Sequence, residues 1–277
     1  MTAARLRLLA AGIAALAFCP ALAQAPPSPI PIPTPASSPA PAPAPADLLA
    51  VGAFSRAPPG GPLPDGWTPL TFRRIDRHTR YALVGDADRG TTIEASADAS
   101  ASGLVRKLDV DAKAWPLLSW SWKVERPVAK GDVTRKSGDD YAARVYVTFR
   151  VPPDRLSPFE RMTRSAARAM FGDDVPDAGL AYIWDARAPA GTIVPNPYTD
   201  RVRMIVVESG SARAGRWLSY ERDIAADYRA AFGEDPPPVS GIAIMTDTDN
   251  TGESLRAWYG DIALRRAGAV PGTGTAP

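Results

Sequence analysis

GIAIMTDTDNTGESLRAWYGDIAL, residues 241–264, is the stretch on which the fold turns. Ile242, Ala243, Ile244 and Met245 form a short apolar run bounded by turn residues. After the loop, Trp258, Gly260, Ile262 and Leu264 alternate with Tyr259, Asp261 and Ala263. A period of two is the mark of a half-buried strand, so the segment reads as strand, acidic loop, strand. Asp247, Asp249, Asn250 and Glu253 fill the loop with hard oxygen donors, the ligand type that calcium takes. They are the candidate metal ligands, with calcium as the one cofactor the chain suggests.

Working outward, further strands are expected near residues 80–84, 91–97, 103–110, 117–125, 142–151, 179–185, 201–207, 217–220, 240–246 and 257–265. Helical spacing appears twice. Phe159, Met162, Ala166, Ala169 and Met170 share one side of 158–170. Ile224, Tyr228 and Phe232 do so after Asp223, with Gly233 as the stop. About ten short strands without strand–helix alternation predict a mainly β fold, a two-sheet jelly-roll-like β-sandwich with two short helical insertions; a closed barrel is the competitor. No repeat of 20 to 50 residues is visible.

The flanks differ in kind. Arg5 and Arg7, an apolar stretch from Leu8 to Phe18, and Ala21-Leu22-Ala23 make residues 1–23 an expected export signal, too short to span a bilayer. A periplasmic or secreted location follows as an expectation. Cys19 raises a lipid-anchor alternative, which Phe18 before it and Pro20 after it disfavour. Cleavage after Ala23 would remove this single cysteine, leaving no thiol chemistry. It would also leave 30 basic against 30 acidic residues, because residues 1–23 hold two arginines and no acid. A neutral domain lacks the footprint of a nucleic-acid binder. Residues 24–46, with ten prolines between Pro26 and Pro45, read as a linker; 47–266 as the folded domain; and 267–277 as a disordered tail.

Several groups carry candidate chemistry. Leu118, Trp120, Trp122 and Val124 share one strand face, as a core requires; Ser121 and Lys123 share the other. On the next strong strand Arg144 and Tyr146 lie opposite Val145 and Val147. If the two strands belong to one sheet, Lys123 and Arg144 join one polar surface. Asp139 and Asp140 precede that strand and either bind a ligand or form a turn cap and ion pair. Tyr182 and Trp184, with Asn196 and Tyr198, either stack on a sugar ring and bond its hydroxyls or seal the edge of the core. The ligand-binding candidates are therefore Lys123, Asp139, Asp140, Arg144, Trp184, Asn196 and Tyr198.

Asp247, Asp249 and Gly252 occupy positions one, three and six of an EF-hand-like loop, but position twelve is Trp258 where a glutamate is needed. His78, the single histidine, stands among charges in RIDRHTR, and no nucleophile elbow, phosphate loop or HExxH motif occurs.

LSWSWKV (118–124), GDDYAARVYVTF (138–149), YIWD (182–185), NPYT (196–199), DYRAAFG (227–233) and IMTDTDNTGESLRAWYGDI (244–262) together resemble the uncharacterised bacterial family DUF3047. The resemblance implies an exported bacterial protein and brings no activity. At the level of fold the strand order is similar to galactose-binding-like and carbohydrate-binding-module jelly rolls. The function expected is a binding domain for a carbohydrate or another polar cell-envelope ligand. A carboxylate- or metal-dependent hydrolase of envelope polysaccharide and a non-catalytic assembly protein are the alternatives. The shortage of histidine and cysteine weighs toward binding without excluding carboxylate catalysis.

Overall fold

The computed structural model describes residues 47–268, apart from 157, 159, 160, 163, 164 and 166–176. The export signal, the whole 24–46 linker, most of the 158–170 helix and most of the tail lie outside the described residues. No described helix is long and apolar enough to cross a membrane.

Thirteen strands are described: β1 (Leu48–Gly52), β2 (Trp67–Leu70), β3 (Arg80–Asp86), β4 (Gly90–Asp98), β5 (Ala101–Val110), β6 (Leu117–Val124), β7 (Arg144–Phe149), β8 (Ala178–Asp185), β9 (Ile193–Asn196), β10 (Thr199–Ser209), β11 (Leu218–Asp223), β12 (Val239–Asp247) and β13 (Ser254–Arg265). The first sheet runs β11-β6-β13-β4-β3, with β1 paired to the late part of β13; the second runs β2-β5-β12-β7-β8-β10-β9. Pairing is antiparallel except between β8 and β10. This is the two-sheet sandwich expected, and its ten expected strands are all present.

The three unforeseen strands lie at margins. β2 carries Pro69 and β9 carries Pro195, and both are edges of the second sheet, where a missing N–H costs no ladder bond. β1 is a five-residue strand directly after the proline-rich segment.

The sheets close on one core. Trp120 and Trp122 from β6 meet Tyr182 and Trp184 from β8, all buried, with Trp120 stacked on Tyr182 at 5.1 Å and Trp122 tilted against Trp184 at 6.4 Å. Burying side chains of this size contributes about 1.5–3 kcal/mol each. The helix α1 (Ile224–Phe232) begins where Asp223 accepts the Ala225 and Ala226 amides and ends at Gly233; its Tyr228 packs edge-on against Phe149 at 4.7 Å.

One expectation about β13 is corrected. Its register shifts between Tyr259 and Ile262, so the alternation changes phase within the strand. Ile262 and Leu264 face the core as expected, but before the bulge Leu255, Ala257 and Tyr259 face it instead. Trp258 is thereby turned to the outer face and Tyr259 inward, the reverse of an uninterrupted alternation.

Candidate functional site

The acidic loop joins β12 to β13 at one end of the second sheet, and β7 starts beside it: Arg144 pairs with Met245, two residues before Asp247. Because Val145 and Val147 fill the core, Arg144 and Tyr146 point to the outer face of the same sheet. There Arg144 is 2 % exposed, beneath a smaller apolar cluster that includes Tyr141, Ile183 and Met204.

Such burial demands a partner for every donor, and the guanidinium has them. Its Nε donates to Asp247 Oδ1 at 3.0 Å and Nη2 donates to Asp247 Oδ2. Nη2 also donates to the Asp139 carbonyl at 2.7 Å, while Nη1 donates to Asp139 Oδ1 at 3.4 Å and Tyr146 Oη at 3.1 Å. The Tyr141 ring covers its face at 4.3 Å. All five donors are thus used. Arg144 holds the site together and offers nothing further to a ligand.

The contacts continue outward as a closed circuit. Asn196 Nδ2 donates to Asp139 Oδ2 at 3.1 Å, and Asn196 Oδ1 accepts the Tyr198 amide at 3.0 Å. The Tyr198 hydroxyl reaches Asn250 Oδ1 at 3.1 Å, and Asn250 Nδ2 donates to Asp140 Oδ1 at 3.1 Å. Asp140 Oδ2 accepts the Thr251 amide at 2.7 Å, fixing the turn at whose end Gly252 adopts a φ of 70°. Carboxylate oxygens of Asp140, Asp247 and Asp249 lie within 4.8 Å of one another.

Four carboxyl groups therefore surround one guanidinium. Burial, together with Asp140 and Asp139, pushes the Asp247 carboxyl up to about 8 against the pull of Arg144. Asp139 and Asp249 are raised for the same two reasons, burial first and then the charge of Asp140. Burial also raises Tyr146 to about 12. Thr251, whose amide caps Asp140, keeps its hydroxyl buried and without a partner among the described residues. The arrangement is short of positive charge, and oxygen donors of this kind suit a hard divalent cation.

At the rim Tyr198 is 56 % exposed, with the Lys136 ammonium 5.2 Å above its ring. Thr134, Asn196, Pro197, Tyr198 and Asp200 border a groove of about 530 Å3 beside it.

Of the candidates read from sequence, Asp139, Asp140, Arg144, Asn196, Tyr198, Asp247, Asp249 and Asn250 converge here. Three do not. Glu253 accepts the Ala129 and Lys130 amides and Arg126, so it clasps the 126–130 loop, and Asp140 takes the place expected of it beside the other acids. Trp184 is 1 % exposed, its indole N–H spent on the Gly210 carbonyl, so it seals the core and presents no ring to a ligand.

Lys123 lies on β6, in the first sheet, whereas Arg144 lies on β7 in the second; the shared polar surface does not form. Lys123 sits instead between the Trp217 and Trp258 rings, 4.9 Å from each, and donates to Asp86 Oδ2 at 2.9 Å.

Sequence reasoning missed Tyr259, which crosses the sandwich: its hydroxyl donates to the Met245 carbonyl at 2.7 Å and accepts the Arg144 amide at 3.3 Å. A Tyr-Gly pair inside an alternating strand was the available sign of a bulge.

A model of the family described as "Protein of unknown function (DUF3047)" matches residues 65–263, and the chain belongs to that family. No curated protein matches it. Among solved structures it is similar to a family 11 carbohydrate-binding module of a cellulosomal cellulase of Clostridium thermocellum, at 12 % identity and TM-score 0.38, over 79 % of this chain and 95 % of that one. It is also similar to a family 30 carbohydrate-binding module of another cellulosomal cellulase of that organism, at 9 % identity and TM-score 0.34, over 73 % and 95 % of the two chains. A family 29 carbohydrate-binding module complexed with mannohexaose shares 11 % identity at TM-score 0.34, over 78 % and 89 %. The sandwich itself rests on the strand pairing described above.

Proposed function

We propose that this protein is an exported, non-covalent binding domain for a carbohydrate or another polar ligand of the cell envelope, with calcium bound beneath the ligand site. The observation that carries the reading is the circuit linking exposed Tyr198 and Asn250 to the buried Asp139, Asp140, Asp247 and Arg144 group. The exposed ring offers an apolar face to a sugar, while Asn196, Asn250 and Asp249 offer hydrogen bonds around it. Calcium between Asp140, Asp247 and Asp249 would supply the missing charge and hold the 247–252 loop in place. Export is supported by the arginines and apolar stretch of residues 1–23. The hydrolase alternative gains less: Asp247, whose pKa burial pushes up to about 8, is 2 % exposed and committed to Arg144 and the Tyr141 amide, out of a substrate's reach.

The test is thermal unfolding and calorimetric titration of the mature chain with calcium, with EDTA and with a panel of envelope and plant glycans. Binding should raise the unfolding midpoint by mass action. Tyr198→Ala should weaken glycan binding about tenfold, the loss expected of an aromatic anchor. A panel without a single binder in the presence of calcium would remove the reading.

A further inference from the structure

The outer face of the first sheet carries side chains that the loop site does not use. Its register sets them in rows across the strands. Arg80 on β3 and Arg256 on β13 both pair with Ser96 on β4, which puts the two arginines about 10 Å apart across one serine. One step along, Glu94 pairs with Trp258, and Trp258 pairs with Lys123. Cations and rings alternate through this second row: Arg256 lies 5.3 Å from the Trp258 ring, Lys123 lies between Trp258 and Trp217, and Arg89 lies 5.6 Å from Trp217.

The acids of this face are already committed. Asp86 accepts Lys123 Nζ at 2.9 Å and the Trp217 indole N–H at 3.0 Å; Glu94 accepts the Trp258 indole N–H at 3.0 Å; Glu125 accepts the Arg256 amide at 3.0 Å. Asp98 is taken by Arg77 and Ser254. Two of the guanidinium groups are less fully engaged. The Arg80 guanidinium has no hydrogen bond or ion pair among the described residues, and that of Arg256 makes only long ion pairs, 3.7 Å from Glu125 and 3.9 Å from Glu94, and donates no hydrogen bond to either. Arg80, Ser96 and Arg256 line a hollow of about 690 Å3, a size that suits a small-molecule site, together with Arg77 and with Asp98 and Glu125, the two acids already engaged.

We infer that this face binds a carboxylated glycan, a chain of uronic-acid-type sugars, at a site separate from the acidic loop. Arg80 and Arg256 grip successive carboxylates through charge-assisted hydrogen bonds, Ser96 between them meets hydroxyls, and the exposed part of Trp258 supports a sugar ring. A lipid surface is the other common source of anionic groups. It fits less well, because among the described residues the exposed large apolar ones, Phe72, Met162, Ile193 and Tyr198, all lie off the strands that build this face.

The full chain is titrated at low salt with polygalacturonate, with its methyl-esterified form and with phosphatidylglycerol vesicles, beside the double variant Arg80→Ala/Arg256→Ala. Both arginines are exposed, and an unchanged unfolding midpoint shows that the variant is folded. The inference expects binding to polygalacturonate that weakens at high salt, about tenfold weaker binding to the ester, and at least an equal loss in the double variant. Equal binding of acid and ester, undiminished binding by the folded double variant, or binding to vesicles alone would each overturn it, as would no binding at all.

Discussion

The two outer faces of the sandwich are built from the same ingredients and come to opposite electrostatic states. Around Lys123 on the first sheet, one cation serves one carboxylate, Asp86, between two indoles. Burial pushes Asp86 up, but hydrogen bonds from Lys123, Trp217 and the Asp88 amide outweigh it and hold its pKa below the usual range. On the second sheet one cation, Arg144, stands among four carboxyls, and Asp247, Asp139 and Asp249 are all raised. The Lys123 side chain keeps 20 % of its surface in water and Arg144 only 2 %. The first is a balanced, partly wet ion pair, whereas in the second acids outnumber the one guanidinium, which is the setting of the calcium proposal.

The largest break in that comparison should come from Arg144→Leu. It strands Asp247 and Asp139 in a dry environment, so a loss of about 3–5 kcal/mol is expected in denaturant unfolding. Arg144→Lys should recover little, because an ammonium cannot reproduce a five-donor fork. Calcium at a hundredfold excess over its dissociation constant should stabilise the wild-type chain by about 2.7 kcal/mol, and Asp140→Asn should reduce that gain.

On the other face Lys123→Met should cost about 1–2 kcal/mol, the scale of two cation–π contacts and one half-buried ion pair, and calcium should not restore it. The smallest effect is that of Tyr198→Ala on stability, within about 0.5 kcal/mol, whereas the proposed function expects it to weaken glycan binding.

The pH dependences should also oppose one another. Asp247 binds a proton more readily folded than unfolded, so in EDTA its contribution lowers stability as pH rises from about 4 to about 8. Asp86 and Glu253 have lowered pKa values, so the stability they confer is present above the unfolded carboxylate range and is lost as pH falls through the folded values. Urea unfolding of the wild type across pH 3–9 should show both limbs, and Lys123→Met should blunt the acid limb alone.

How much of this was legible in sequence depended on whether a residue acts through its own strand or through a distant one. Alternation along 118–124 placed Trp120 and Trp122 in the core, and the acidic run 247–253 marked the loop. Asp139, Asp140 and Arg144 could be named because they precede or open a strand with clear polarity.

What alternation cannot give is which sheet a strand joins. Lys123 and Arg144 therefore looked like neighbours when their strands lie in different sheets, and the pairing of Lys123 with Trp217 and Asp86 left no trace in local pattern. The β13 bulge reversed the faces of Trp258 and Tyr259 for a similar reason, since an extra residue is set by the partner strands. Glu253 had the right chemistry for a ligand, but the backbone amides of 129 and 130 reach it first.

The most direct test of the central claim, the proposal that the Asp140, Asp247 and Asp249 group binds calcium, is the unfolding midpoint of the metal-free chain at pH 8 with and without calcium. A midpoint that rises with calcium concentration, and rises less at pH 5 where Asp247 is protonated, is the predicted result. A midpoint indifferent to calcium at both pH values would contradict the account and leave the cluster as a self-contained structural clasp.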